Sequence, residues 1–153
     1  MSDWTSGYRA DINYLYEYYP EFNPNRIRLA LLKAGLQFPE VKTACELGFG
    51  QGLGLCINDI GSDVEWYGTD FNPSQASFAI ELAKEFKDKQ TYFDDSFEEF
   101  CSRDDLPDFD FIALHGIWTW ISDENRHIII DFIRRKLRPG GVVYWHAPTI
   151  LDT

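Results

Sequence analysis

The sequence predicts an α/β domain, with a doubly wound, mostly parallel sheet and helices on both faces. Three observations predict it. Short strand-like runs alternate with longer segments of helical periodicity from Thr43 to His146. One of these runs, Phe111-Ile112-Ala113-Leu114, is continuously apolar, as suits a parallel strand covered on both sides. Another ends in the glycine turn Gly48-Phe49-Gly50-Gln51-Gly52, where a strand can reverse sharply into a helix. The 153 residues are enough for one domain with a real core, so 1–153 is read as a single unit.

Residues 1–22 form an aromatic-rich arm with Tyr8, Tyr14, Tyr16, Tyr18 and Tyr19, closed by Pro20, either helical or folded irregularly over the domain. Asn23-Pro24 reads as an N-cap and first helical residue, because proline at that position gives up no needed hydrogen bond. Ile27, Leu31 and Ala34 follow at helical spacing and Gly35 ends the helix. The core, residues 43–146, then offers strands at Thr43–Leu47, Glu65–Thr69, Gln90–Phe93, Phe109–Leu114 and Gly141–His146. Helices fit between them at Gly52–Ile60, Pro73–Phe86, Phe97–Cys101 and Ser122–Leu137. Asn72-Pro73 and Ser122-Asp123-Glu124 are helix starts, and Pro139-Gly140-Gly141 stops the last helix.

Composition narrows the function classes. Hydrophobic residues are 44% and charged residues 25%, which fits a globular chain and not a disordered one. No apolar run reaches the roughly 20 residues of a membrane span, and Met1-Ser2-Asp3-Trp4 does not begin a secretory signal. The three cysteines, Cys45, Cys56 and Cys101, make no CxxC pair and are read as reduced, buried thiols of a cytoplasmic protein, with no metal or disulfide. The net charge of −11 argues against nucleic-acid binding, which usually needs clustered Lys and Arg. The acids Asp94, Asp95, Glu98, Glu99, Asp104, Asp105, Asp108 and Asp110 read as one solvated face. Basic or neutral substrates fit better than anionic ones. Arg134-Arg135-Lys136 closes a helix, where cations offset the dipole.

In doubly wound sheets, ligands bind beyond the carboxyl ends of the strands. The glycine turn lies there, and the helix behind it points free N–H groups into the crevice. Asp70 ends the second strand, 24 residues after Glu46, near the interval of roughly 20 expected for an acid on a ribose. A dinucleotide fingerprint would need glycine one residue later, where Leu53 stands. The Glu46 carboxylate would also repel a pyrophosphate. S-adenosylmethionine carries an ammonium, a sulfonium and no phosphate, so acidic surroundings favour it over NAD.

Ala44-Cys45-Glu46-Leu47-Gly48-Phe49-Gly50-Gln51-Gly52 resembles the first motif of class I S-adenosylmethionine-dependent methyltransferases, which have a Rossmann-like fold. Tyr67-Gly68-Thr69-Asp70 resembles their second motif, and Asp94-Asp95-Ser96-Phe97 resembles their adenine-binding segment. Phe109-Asp110-Phe111-Ile112-Ala113-Leu114-His115 and Leu137-Arg138-Pro139-Gly140-Gly141 resemble the fourth strand and the turn before the fifth. Tyr19-Pro20-Glu21-Phe22-Asn23-Pro24 together with His115-Gly116-Ile117-Trp118 resembles bacterial members with a C-terminal regulatory domain, some of which methylate protein lysines. The family usually has seven strands. Here the last two are missing, and Tyr144-Trp145-His146-Ala147-Pro148 departs from the aromatic-Asn pattern expected there.

The resemblance implies S-adenosylmethionine as cofactor, S-adenosylhomocysteine as product, and a nitrogen, oxygen or sulfur acceptor on a small molecule or protein side chain. It places the cofactor against Glu46, Gly48, Phe49, Gly50, Gln51 and Gly52 of the first motif, and against Asp70, Phe71 and Asn72 of the second. Glu46 orders the turn or reaches the amino group, directly or through water. Asp70 takes the ribose hydroxyls, with helix capping as its alternative, a task Asn72 can also perform. Asp95 or Asp94 accepts from the adenine amine, and Ser96 offers its N–H. Phe71 and Phe97 either sandwich the adenine or pack as core. His115 either takes a proton from the acceptor or is structural, and also borders the cofactor. Trp118 and Trp120 line the pocket or cover the sheet edge. The Asp/Asn-Pro-Pro-aromatic motif of many amide and base methyltransferases is replaced by His115-Gly116-Ile117-Trp118, which disfavours nucleobase and glutamine acceptors. A binding-only domain and an NAD-dependent oxidoreductase are the rival readings, and the exposed sheet edge can pair with a second copy.

Overall fold

The computed structural model describes residues 16–146. Tyr8 and Tyr14 of the aromatic arm, and Ala147 and Pro148 at the other end, lie outside the described residues. Five parallel strands form one sheet in the order β3-β2-β1-β4-β5: β1 Thr43–Leu47, β2 Glu65–Thr69, β3 Tyr92–Phe93, β4 Phe109–His115 and β5 Leu137–His146. The helices between them are α2 Leu53–Ile60, α3 Pro73–Ala83, α4 Phe97–Cys101 and α5 Asp123–Lys136. A single 3-10 turn, Pro20–Phe22, and α1, Pro24–Lys33, precede the sheet. The chain turns back to the opposite flank after β3, so β1 and β4 meet at the reversal point where a crevice opens.

Strand alternation builds two cores, one on each face. Cys45, Leu47, Tyr67, Ile112 and Leu114 pack under α4 and α5, with Phe100, Ile129 and Phe132. Ala44, Trp66, Phe111 and Ala113 point the other way, toward Leu55, Ala76, Ala79 and Phe22. Phe109 and Phe111 would share a face in a regular strand, yet they belong to opposite cores. A register irregularity between them makes the switch.

The helix starts follow the local chemistry. Asn23, Asn72 and Ser122 each accept a backbone N–H two or three residues on, capping α1, α3 and α5. Ser96 and Glu99 make a reciprocal capping box on α4. Three boundaries differ from the sequence reading by more than one residue. α3 ends at Ala83, and the chain continues to Phe86 through tighter i→i−3 turns. β3 is only Tyr92–Phe93. β5 begins at Leu137, not Gly141, because Leu137 already pairs with Phe109 and the Pro139-Gly140-Gly141 turn is looped out within the pairing.

Six of the eight acids in the acidic run are exposed, as a solvated face requires, while Asp95 is half-buried and Asp110 buried, and several have structural partners. Asp110 is 8% exposed and bound to Arg138 at 3.0 Å, Asp95 and Asp105 both pair with Arg103, and Glu99 caps α4. The basic end of α5 also does more than offset a dipole. Arg135 and Lys136 donate to the carbonyls of Cys101 and Leu106, tying α5 to the end of α4 and to the segment after it. All three cysteines are buried and unpaired, and burial pushes the Cys56 and Cys101 thiols up to about 12. Among the described residues, no helix is long and apolar enough to cross a membrane.

Candidate active site

The turn after β1 can be built only with glycine. Gly48, Gly50 and Gly52 have φ values of 75°, 59° and 72°, in the left-handed region that a Cβ disfavours. A methyl group at Gly48 would overlap Ile117 Cγ2, and one at Gly52 would come within 2.5 Å of Ala79 Cβ. Gly68 on β2 is required for a different reason: a Cβ there would meet Phe49 and the Glu46 carbonyl, each at 2.9 Å. The backbone of the turn therefore lies close against the sheet and opens toward the strand tips.

Asp70 braces this turn. One carboxylate oxygen accepts from Gly50 N–H at 2.8 Å, and the other from Asn72 N–H at 3.0 Å. Asn72 caps α3 through Ser74 N–H, so Asp70 has no capping duty. Asp70 is 6% exposed, and burial raises its carboxyl to about 6 against the pull of the two N–H groups. The Glu46 charge pushes in the same direction as burial, and His115 against it. Glu46 is itself 4% exposed, with Oε1 3.6 Å from His115 Nδ1, an ion-pair distance longer than a hydrogen bond.

His115 ends β4 between two aromatic rings. Tyr19 meets it edge-on at 4.4 Å between centroids, and Phe22 lies tilted at 4.5 Å. Glu17, Tyr19, Phe22, Glu46, His115 and the turn from Phe49 to Gly54 enclose a crevice with about 20 Å³ of free space. A roomier hollow of about 300 Å³ lies between α1 and the end of α2, away from the strand tips and from all three titratable site groups.

The segment Asp94-Asp95-Ser96-Phe97 is positioned by Thr69 Oγ1, which donates to the Asp95 carbonyl at 2.5 Å. The Asp95 side chain is held by Arg103 at 3.0 Å, and that guanidinium lies 3.9 Å from the Phe93 ring centre. Asp94 is exposed. The Ser96 N–H donates to Glu99 at 2.9 Å. Phe97 is 2% exposed and belongs to the core, while Phe71 is half-buried against the same cluster, so they do not form a two-sided clamp. Trp118 packs on that core beside Arg126, and neither it nor Trp120 lines the crevice. The structure thus gathers Glu46, the glycine turn, Asp70 and His115 at one place. It adds Tyr19 and Phe22, which lie in the Tyr19–Pro24 segment that carried the narrower resemblance, and Glu17, which had no sequence signal.

No protein-family model matches this chain. It is 41% identical over 146 residues to an uncharacterized protein of Synechocystis sp., covering 92% of this chain but 29% of that protein. Among solved structures, PKMT2 from Rickettsia typhi in complex with AdoHcy superposes with a TM-score of 0.73 and 20% identity, over 86% of this chain and 26% of that one. Haemonchus contortus phosphoethanolamine N-methyltransferase 2 in complex with S-adenosyl-L-methionine gives a TM-score of 0.56 and 24% identity, over 78% of this chain and 27% of that one. The chain has a Rossmann-like methyltransferase fold. It spans less than a third of these similar proteins' lengths. Of the residues that enclose the crevice, Glu46 lies on β1 and His115 on β4, Phe49–Gly54 form the turn and the start of α2, and the rest come from the arm.

Proposed function

We propose that this chain is the S-adenosylmethionine-binding domain of a methyltransferase, passing a methyl group to a nitrogen, oxygen or sulfur of a small molecule or protein side chain. One observation carries the reading. Two buried carboxylates, Glu46 and Asp70, flank a turn that only glycine can form, and among the described residues neither has a Lys or Arg partner. That environment suits a ligand bearing an ammonium and a sulfonium, and repels a pyrophosphate. The three buried free thiols fit a reducing compartment such as the cytoplasm.

The residues present fit the group. Gly48, Gly50 and Gly52 form the floor for its methionine part, with Phe49 and Gln51 between them, and Glu46 faces its amino group. Asp70 takes the ribose hydroxyls beside Phe71 and Asn72. Asp94, free of the Arg103 pairing that occupies Asp95, accepts from the adenine amine. When bound, the cofactor supplies an electrophilic methyl group and leaves as S-adenosylhomocysteine. The chain supplies alignment and a dry site, and orientation alone can lower a barrier by roughly 7–11 kcal/mol in favourable cases. His115, at the end of β4 with Nδ1 3.6 Å from Glu46, is the group placed to take the acceptor's proton.

Titration calorimetry with S-adenosylmethionine, S-adenosylhomocysteine and NAD tests the reading. Micromolar binding of the first two, lost on Asp70→Ala, is expected, and binding of NAD alone would sink it. A second reading is a domain that binds S-adenosylmethionine without turning it over. Binding without methyl transfer across a panel of amine, hydroxyl and thiol acceptors would select that one.

A further inference from the structure

Glu46, Gly68 and Tyr92 stand side by side on β1, β2 and β3, in one row of the sheet and on the side covered by α2 and α3. Gly68 has no side chain, and the gap in the row is filled from the glycine turn by the ring of Phe49. A Cβ on Gly68 would meet Phe49 Cδ1 at 2.9 Å, and one on Gly52 would meet Phe49 Cδ2 at 3.0 Å. The ring thus lies between two glycines, in the core cluster that holds Leu55 and Tyr92, and the residue is 4% exposed. Gly52 N–H donates to the Phe49 carbonyl at 2.9 Å, so the residue whose ring is buried also closes the turn.

Tyr92 backs that ring, 6.1 Å away between centroids. It is 1% exposed, and its hydroxyl donates to Asp59, one residue before the end of α2. The same Asp59 oxygen accepts from Lys87 Nζ at 2.5 Å. Lys87 also donates to the Trp66 carbonyl at 3.2 Å and lies 5.2 Å from the centre of the Tyr92 ring. The Lys87 and Asp59 side chains are only 12% and 8% exposed. Taking such a pair out of water can cost as much as its attraction returns, so stability alone does not account for it. What the pair does fix is place: the end of α2, the edge strand and the Tyr92 ring are tied to one point.

We infer that Phe49 is a positioning residue for the cofactor: its ring stands in for the side chain that Gly68 lacks and, backed by Tyr92, fixes how the glycine turn sits on the strand tips. The inference rests on the cofactor reading above. Gly50 follows Phe49 directly and donates its N–H to Asp70 at 2.8 Å, while Glu46 shares the row that the ring completes. A turn that rose or sank would carry Gly50 away from Asp70 and shift the backbone floor relative to both carboxylates. The aromatic residue of the turn therefore acts from beneath, through the glycines on either side of it.

Calorimetry with S-adenosylhomocysteine and NMR of the Gly50 amide test this in the full chain, for wild type, Phe49→Ala, Phe49→Leu and Tyr92→Leu. Phe49→Ala should bind about 10–30-fold more weakly. Phe49→Leu refills part of the space and should lose only about 2–5-fold, and Tyr92→Leu, which removes the backing ring, a similar amount. In the ligand-free proteins the Gly50 amide proton should move in the same direction in all three variants, most in Phe49→Ala, as its bond to Asp70 lengthens. A merely architectural Phe49 predicts lower stability in urea, with the Gly50 signal and the affinity of the folded protein unchanged, and that result would overturn the inference. If Phe49→Ala does not fold, Phe49→Leu and Tyr92→Leu carry the same comparison. Failure of wild type to bind S-adenosylhomocysteine would instead remove the cofactor reading, and the Gly50 shifts of the free proteins would still decide whether Phe49 sets the turn.

Discussion

Asp70 and Asp110 stand at opposite ends of one sheet, and their contrast separates binding from architecture. Each is nearly buried, 6% and 8% exposed, and each accepts from two backbone N–H groups. Asp110 adds Arg138 at 3.0 Å, and although burial works against its charge, the Lys42 and Thr43 N–H groups and that guanidinium hold its carboxyl below the usual range. Asp70 has no Lys or Arg partner among the described residues and has Glu46 for a neighbour, so burial prevails and its carboxyl rises to about 6. The base of the sheet is electrostatically complete. The tips carry a deficit that a cation would fill, which is the usual mark of a site rather than of a scaffold.

The strongest way to break this contrast is to remove Asp110. Asp110→Ala leaves two N–H groups unpaired and takes the carboxylate from a half-exposed Arg138, and should cost about 2–3 kcal/mol in urea denaturation. The protein that stays folded should bind S-adenosylhomocysteine as wild type does. A comparable loss of affinity would mean that the two ends are not independent.

Asp70→Asn should act in the reverse sense. Binding of S-adenosylmethionine should weaken about 10–100-fold, the value of charge-assisted hydrogen bonds. Above pH 6 the loss of the buried charge should contribute up to about 3 kcal/mol of stability, offset by about 1–3 kcal/mol because the new amide nitrogen faces one of the two N–H donors. The sign follows from proton counts. Between the ordinary carboxylate value of 3.8 and the raised value of about 6, the unfolded chain has released the Asp70 proton while the folded chain retains it. Wild-type stability therefore falls as pH rises through that window and stays lower above it. Ligand affinity should rise over the upper part of the same window, as Asp70 ionises. Parallel melts and titrations from pH 4 to 8 check both slopes, and a variant that keeps either slope would disprove the assignment to Asp70.

Much of this arrangement is legible in the sequence because it is set locally. The bounds of β1 and β2 follow from short apolar runs, and α1 and α3 begin at Asn-Pro pairs whose caps form as the residue types require. Glu46, the glycine turn, Asp70 and His115 sit at strand ends, so identifying the strands locates them. What was not legible depends on tertiary contact. The early start of β5 is imposed by pairing with Phe109. Phe97 has the same aromatic character whether it stacks on a ligand or packs with Phe100 and Phe132. Tyr19 and Phe22 meet His115 only because α1 is docked through Asn23 and Asn58. No periodicity in the arm carries that information.

The smallest effect concerns the adenine end, where the sequence leaves Asp94 and Asp95 equivalent. The structure distinguishes them by the logic of the two sheet ends: Asp95 is already paired with Arg103, and Asp94 is exposed with no such partner. Asp95→Ala should leave affinity within about twofold and cost at most about 1 kcal/mol of stability, as expected for a partly exposed ion pair. Asp94→Ala should weaken S-adenosylhomocysteine by about 3–10-fold through loss of one hydrogen bond to the exocyclic amine. An inosine analogue lacking that amine supplies the other edge of a thermodynamic cycle. It should bind wild type more weakly than S-adenosylhomocysteine does, yet bind Asp94→Ala no worse. If the penalty for the analogue persists in Asp94→Ala and vanishes in Asp95→Ala, the Arg103 pair must open on loading, and the adenine end would be a place where this site rearranges around its ligand.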